Sequence, residues 1–147
     1  MSHTIDSLAQ MHALGRELGA KLKAGDVILL NGTLGAGKTS LVQGIGAALE
    51  IDGITSPTFV ISRTYPGKIP LIHVDAYRLV GEPMAIFDDL DLESQAPSAI
   101  TIIEWGDGFV ERIADEYLEI HLEFGEGDDQ RILSATAHGP RWQGFEL

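Results

Sequence analysis

Residues 32–39 are the segment that most constrains the fold of this 147-residue chain. They read Gly-Thr-Leu-Gly-Ala-Gly-Lys-Thr and match the phosphate-binding pattern G-x-x-x-x-G-K-[ST] at every fixed position. The apolar run 27–30 before them predicts a buried strand, and the helical spacing of residues 40–49 after them predicts a helix. A glycine-rich loop between a strand and a helix is the setting in which this pattern binds nucleotide phosphates. The sequence therefore predicts an α/β fold like that of P-loop NTPases.

The residue types in this loop suit phosphate chemistry. Gly32, Gly35 and Gly37 permit backbone angles that other residues avoid, so successive N–H groups and the new helix N-terminus can point at an anion. Lys38 adds a positive charge at the β- and γ-phosphates. The Thr39 hydroxyl is expected to ligate Mg²⁺, a hard cation that takes few protein ligands.

A phosphate loop also needs a carboxylate from a neighbouring strand to complete the magnesium site. Asp75 closes the apolar run 71–74, and Glu104 closes the run 99–103. Each is predicted at the carboxyl end of a strand, the edge where open α/β sheets bind ligands. The alternative for either carboxylate is to cap a neighbouring helix or to pair with Arg78.

Three further features leave alternatives open. The hydroxyls of Ser56 and Thr58 could contact the γ-phosphate from a mobile switch segment, or Thr55 to Thr58 could be an ordinary Ser-Pro turn. Trp105 could pack in the core or be an exposed recognition aromatic. His73 is interpreted as a strand histidine with its hydrogen bonds satisfied rather than as a metal ligand.

The rest of the pattern predicts a mixed β-sheet flanked by helices. Leu8, Met11 and the following apolar positions of a first helix fall on one face, with Asp6 or Ser7 as its cap and Gly25 at its end. Two β-rich runs around Pro66-Gly67 predict antiparallel strands, and a helical or irregular stretch follows from Pro83. Late strands are predicted at 117–124 and 131–137.

Composition limits the partners. The chain has 22 acidic and 10 basic residues, a net charge of −12, so we expect no DNA binding and no unaided RNA binding. The acidic residues cluster at 88–93 and 123–129, as solvated faces or as a patch for a basic partner. With no Cys and no apolar run of about 18 residues, we expect one cytoplasmic domain spanning residues 1–147, without disulfides or a membrane span.

The nucleotide base and the reaction class follow from what the sequence lacks. It has no Asn/Thr-Lys-x-Asp motif for reading guanine, so adenine is the expected base. A small-molecule kinase normally needs additional Arg or Lys side chains to clamp its acceptor, and only four Lys and six Arg are present. That kinase remains an alternative to an ATPase.

Four motifs in order resemble the bacterial TsaE family. They are Asn31 to Ser40, Ser56 to Phe59, His73 to Leu79 and Ile102 to Trp105, and the resemblance spans about residues 4–124, the nucleotide core, with C-terminal strands and a tail to 147. Thr33 and Gly106 depart from the acidic residue and the Pro that are common in the family. Proteins of this family are ATPases that work with TsaB and TsaD in the N6-threonylcarbamoyl modification of tRNA adenosine 37.

The resemblance implies specific roles. ATP phosphates would be held by Leu34, Gly35, Ala36, Gly37, Lys38 and Thr39. Thr39 and Glu104 would ligate Mg²⁺, and Asp75 would help to place the metal or water. Ser56 to Thr58 would be the switch-like segment, and Trp105 would lie beside the nucleotide or a partner surface. TsaD- and TsaB-type proteins would be the partners, with tRNA contacted only indirectly. An ATP-dependent interaction module without significant hydrolysis remains a second alternative.

Overall fold

The computed structural model describes residues 2–33, 35–55 and 61–147. The strands in these residues are β1 (Ser2–Ile5), β2 (Val27–Gly32), β3 (Ser62–Tyr65), β4 (Leu71–Asp75), β5 (Ile100–Glu104), β6 (Tyr117–Phe124) and β7 (Arg131–His138). The α-helices are α1 (Leu8–Lys21), α2 (Lys38–Ala48), α3 (Met84–Asp88) and α4 (Leu92–Gln95).

The strands form one mixed sheet in the order β1-β7-β6-β2-β5-β4-β3. The four central strands, β6, β2, β5 and β4, are parallel. At one side β7 pairs antiparallel with β6 and β1 pairs antiparallel with β7, and at the other side β3 pairs antiparallel with β4. This confirms the predicted P-loop NTPase-like mixed sheet. The antiparallel pair around Pro66-Gly67 is also confirmed, with β3 beginning at Ser62.

Strands β2, β4 and β5 are buried on both faces because helices or loops cover each side. Along β2, Ile28 and Leu30 pack into the core that contains α1 and α2, whereas Val27 and Leu29 pack into a second core on the opposite face. This second core includes Phe87 of α3. Continuous burial explains why β2 reads as an uninterrupted apolar run rather than an alternating one.

Helix α1 begins where the sequence predicts and ends earlier. The Ser7 hydroxyl accepts a hydrogen bond from the Gln10 backbone N–H at 3.1 Å and so caps the helix. The helix ends at Lys21, and Gly25 lies in the following turn with a φ of 96°. Leu8 begins the predicted apolar face but is 60% exposed, because it is the first residue of the helix and lies at the rim of a surface cleft.

Glycines bring α1 and α2 into backbone contact. A Cβ atom at Gly15 would collide with the Leu41 carbonyl oxygen, and one at Gly44 would collide with the His12 carbonyl oxygen. The Ser40 hydroxyl also donates a hydrogen bond to the Leu8 carbonyl oxygen at 3.1 Å. These contacts hold the start of α1 beside the start of α2, where the phosphate loop ends.

Of the helices described, none combines the length and the apolar character that crossing a membrane would need.

Candidate functional site

A cleft of about 690 Å³ opens at the carboxyl edge of the central strands, within the usual size range of small-molecule sites. Its described lining residues are Leu8, Gly35, Gly37, Lys38, Thr39, Ser40, Gln43, Asp75, Tyr77, Glu104 and Trp105. The edge location follows from the parallel register, which pairs Leu30 of β2 with Glu104 of β5, and Glu104 with Asp75 of β4. The sheet therefore brings the phosphate loop and both predicted carboxylates to one cleft.

The phosphate loop has the backbone that its glycines predict. Gly35 and Gly37 have φ angles of 83° and 99°, in the left-handed region that favours glycine. Helix α2 begins at Lys38, directly after Gly37, so its free N–H groups open toward the cleft. Ala36 is buried, and Leu34 lies outside the described residues. The described part of the loop is thus arranged for an anion.

Lys38 and Glu104 form a buried ion pair in the cleft. Lys38 Nζ lies 3.4 Å from Glu104 Oε1, and the two residues are 8% and 6% exposed. Lys38 Nζ also donates a hydrogen bond to the Gly32 carbonyl oxygen at 2.8 Å. The lysine is therefore fixed over the loop that it is predicted to serve, and the glutamate is fixed beside it.

His73 holds the other oxygen of the same carboxylate. Its Nε2 lies 2.5 Å from Glu104 Oε2, and its ring is fully buried in β4. The prediction of a strand histidine is confirmed, but the prediction that its hydrogen bonds are satisfied is wrong for Nδ1, which is buried without a partner in the described structure. Glu104 therefore has one oxygen fixed by the sheet and the other directed at Lys38.

The electrostatics keep Glu104 ionised. Burial alone would raise its pKa, but the hydrogen bond from His73, the charge of His73 and the contact with Lys38 together outweigh burial and lower the pKa below its ordinary value. A carboxylate at this position is consequently available as an anionic oxygen ligand at neutral pH.

Asp75 caps a neighbouring helix, one of the alternatives that the sequence left open, and it also reaches the cleft. Its Oδ1 accepts a hydrogen bond from the Tyr77 backbone N–H at 3.1 Å and caps the short 3-10 helix Ala76–Leu79. The residue also lines the cleft, next to Glu104 in the sheet register. The cap fixes one oxygen and orients the carboxylate at the edge of the site.

Trp105 lies in the cleft as a half-buried aromatic, between the two environments that the sequence left open. Its φ of 57° is unusual for a bulky residue and costs on the order of 1 kcal/mol. Lys38 Nζ lies 4.6 Å from the centroid of the Trp105 ring, and the centroid of the Tyr77 ring lies 5.5 Å from the same point. At Gly106, a Cβ atom would collide with Ile103, so the glycine permits this sharp turn after β5.

Two predicted features are not described by the structure. Ser56 and Thr58 lie outside the described residues, as does the side chain of Arg78. Thr55, just before the predicted switch segment, is described: its backbone N–H donates to the Tyr65 hydroxyl at 3.3 Å, and its hydroxyl accepts from Arg63 at 3.2 Å.

Sequence reasoning missed several cleft residues. Leu8 and Tyr77 line the cleft. The sequence indicated Leu8 only as part of a helix face, and Tyr77 only as part of the motif that follows a strand. The contact between His73 and Glu104 joins residues 31 positions apart. The sequence did contain a hint of this contact. If the two strands that end at Asp75 and Glu104 are neighbours, His73 lies diagonally opposite Glu104.

Comparison with known proteins relates this architecture to one family. The family model described as threonylcarbamoyl adenosine biosynthesis protein TsaE matches residues 5–133. The Streptomyces coelicolor protein named tRNA threonylcarbamoyladenosine biosynthesis protein TsaE is 42% identical over 139 residues, covering 90% of this chain and 93% of that protein. The Bacillus subtilis protein of the same name is 37% identical over 134 residues, covering 89% and 82%.

A solved structure agrees with this relationship. The crystal structure of Bacillus subtilis YdiB is similar to this chain with a TM-score of 0.77 and 32% sequence identity, covering 98% of this chain and 89% of that one. The similarity therefore extends over nearly the whole chain.

Proposed function

The chain belongs to the family of threonylcarbamoyl adenosine biosynthesis proteins TsaE, and we propose that it acts in this pathway as an Mg²⁺-dependent ATPase. The observation that carries the proposal is the meeting of Lys38 and Glu104, at 3.4 Å, over the phosphate loop. A cation for phosphate and an anion for a metal are the two charges that P-loop hydrolysis requires together.

The residues present fit ATP and Mg²⁺. Gly35 to Thr39 offer loop and helix N–H groups for the phosphates, and Lys38 adds a positive charge. Thr39 and Glu104 supply the hard oxygen ligands that Mg²⁺ prefers, and Asp75 lies near enough in the cleft to position the metal or its waters. When bound, Mg²⁺ would neutralise charge that develops on the phosphate oxygens.

Each side chain in the cleft would have a separate role in hydrolysis. With ATP bound, Lys38 would contact the phosphates in place of Glu104, and Glu104 Oε1 would then be free to serve as a ligand for Mg²⁺. His73 keeps Glu104 Oε2 in place during this exchange, since that contact lies inside the sheet and away from the phosphates. Asp75 orients a water, and the Trp105 ring covers the lysine and limits solvent access. Ser56 and Thr58 are proposed to contact the γ-phosphate.

Cleft composition favours an ATPase over the small-molecule kinase alternative. Among the described lining residues, Lys38 is the one basic side chain. A kinase site needs further cations to hold an acceptor and cover the transferring phosphate, whereas hydrolysis requires only water as acceptor.

The partners are proposed to be TsaB- and TsaD-type proteins, with tRNA contacted indirectly. A net charge of −12 opposes direct binding to a phosphate backbone. The chain would therefore serve tRNA modification as one cytoplasmic P-loop domain, residues 1–147, that acts on proteins rather than on RNA.

Reconstituted tRNA modification tests the proposal. Purified TsaB- and TsaD-type proteins, the activated threonylcarbamoyl donor and tRNA are combined with this chain, and product is counted per TsaD-type protein over many turnovers. We expect ATP to support repeated turnover with the wild-type chain but not with Glu104→Gln. Equal turnover with a nonhydrolysable ATP analogue would contradict hydrolysis as the function and favour the interaction-module alternative.

A further inference from the structure

Exposed apolar side chains are concentrated beside the nucleotide cleft. Of the six large hydrophobic residues that are exposed in the described part of the chain, four fall within ten consecutive positions. These four, which we call the outer patch, are Tyr77, Val80, Met84 and Ile86. Tyr77 and Val80 are 62% and 66% exposed. Exposed apolar side chains that are concentrated on one part of the surface mark an interaction site more often than scattered ones do, and these four belong to one short segment.

The outer patch lies on a segment that is anchored from within. Phe87 of α3 is buried and its ring lies 4.9 Å from the ring of Phe109. Leu79 is also buried in the same core. The segment thus has a packed inner side, and the apolar residues on its outer side add nothing to that core.

Acidic residues are concentrated within and after the segment that carries the outer patch, although Arg78 lies between Tyr77 and Val80 in sequence. Residues 79–95 include five acidic side chains and no Lys or Arg. Of these, Asp88 is paired with Arg112 at 2.5 Å, and Glu82, Asp89, Asp91 and Glu93 are exposed. This charge repels a nucleic-acid backbone and favours a protein surface that is basic around an apolar centre.

Ring contacts connect the outer patch to the nucleotide site. Tyr77 belongs both to the patch and to the cleft lining, and its ring packs against Trp105 at 5.5 Å. Trp105 in turn lies under Lys38 Nζ at 4.6 Å. A protein that covers the outer patch would therefore border the nucleotide cleft directly.

We propose that the outer patch is a docking surface for a partner protein that presents apolar side chains within a basic surface, at the rim of the nucleotide cleft. The proposal rests on the proposed function, which requires a partner, and under it the occupant is the TsaB- and TsaD-type pair.

Two double variants test the two parts of this surface. Val80→Ser with Ile86→Ser removes exposed apolar area, and Asp89→Lys with Glu93→Lys reverses charge. The matched control is Glu126→Lys with Asp129→Lys, which makes the same charge change on the exposed turn between β6 and β7. Thermal melts and hydrolysis by the isolated full-length chain verify that each variant remains folded. Binding to the purified pair is titrated with a nonhydrolysable ATP analogue present.

We expect both outer-patch variants to bind the pair about tenfold or more weakly, in the range of interface hot spots, with the control within about twofold of wild type. Wild-type affinity should also fall more steeply with salt than that of the Asp89→Lys, Glu93→Lys variant. Wild-type binding with undiminished binding by both outer-patch variants would overturn the docking surface and leave the proposed function standing. Failure of wild type to bind the pair would overturn both.

Sedimentation of the isolated chain distinguishes a second copy as the occupant. We expect wild type and the Val80→Ser, Ile86→Ser variant to sediment alike. A wild-type dimer that the variant converts to monomer would overturn the proposal, because the outer patch would then be a contact between copies.

Discussion

Lys38 Nζ lies 3.4 Å from Glu104 Oε1, so the cation that we propose for phosphate and the carboxylate that we propose for the metal form an ion pair with each other. A bound phosphate would therefore compete with Glu104 for Lys38. Under the proposed function, this competition would link phosphate binding to release of the carboxylate, and mutation of either residue can test it.

Replacing Glu104 with Gln should separate binding from hydrolysis. The variant loses an anionic ligand and the positioning of water, so hydrolysis is expected to fall about 100-fold or more. Binding of Mg²⁺-free ATP should persist and tighten by several-fold, because Lys38 no longer has an anionic competitor. Single-turnover hydrolysis and nucleotide titration measure the two effects. Near-normal hydrolysis would remove Glu104 from the metal site and leave Asp75 as the principal carboxylate.

His73→Leu should lower kcat more than it changes KM for ATP. Without the hydrogen bond at 2.5 Å, Glu104 Oε2 loses the contact that orients the carboxylate. We expect kcat to fall about tenfold, at the low end of losses for a positioned catalytic group, with KM within about threefold. His73→Gln, which can retain a hydrogen bond, should recover part of the rate.

Thr101→Val is the control for the His73 variants. Thr101 is fully buried in β5 and its hydroxyl has no hydrogen-bond partner in the described structure, so the substitution changes a buried polar group away from the cleft. If it lowers kcat as much as His73→Leu does, the histidine acts through general sheet packing rather than through Glu104.

Thr39→Ala should weaken the binding of Mg²⁺ and thereby lower the rate of hydrolysis. The substitution removes the proposed hydroxyl ligand, and we expect hydrolysis at millimolar Mg²⁺ to fall about 100-fold while Thr39→Ser keeps most of the rate. Ser40→Ala is the neighbouring control, because its hydroxyl donates to the Leu8 carbonyl oxygen instead. Equal losses in the Ser40 and Thr39 variants would argue against a metal role for Thr39.

Much of the fold was predictable, because local patterns determine the central strands and the phosphate loop. The apolar runs ending at Asp75 and Glu104 correctly indicated buried strands with carboxylates at one edge. The site itself was predictable only in part. The burial of Lys38, the Glu104 contact with His73 and the orientation of Trp105 depend on which strands are neighbours, and spacing along the chain does not determine that order.

The exposed position of Leu8 shows a second limit. Helical periodicity identifies the face on which a residue lies, but not where the packing neighbour ends. Leu8 occupies the correct face of α1 and still lies at the cleft, because α2 begins only at the phosphate loop.

Gly44→Ala tests how much the contact between α1 and α2 contributes to the stability of the fold. The added Cβ would meet the His12 carbonyl oxygen, so we expect a loss of about 1–3 kcal/mol in the free energy of unfolding. Gly127→Ala is the control, since its Cβ would lie 3.4 Å from Gln130 in ordinary contact. Urea denaturation measures both, and an unchanged midpoint for Gly44→Ala would show that the helices can separate at little cost.

The central claim is that this chain hydrolyses ATP as part of a protein assembly for tRNA modification. The most direct test is the rate of phosphate release from ATP by the purified chain, measured alone, with tRNA alone, and with the TsaB- and TsaD-type pair. We predict strong stimulation by the pair, none by tRNA alone, and loss of the stimulated rate in Glu104→Gln. An unstimulated rate with the pair, or a rate raised by tRNA alone, would contradict the account.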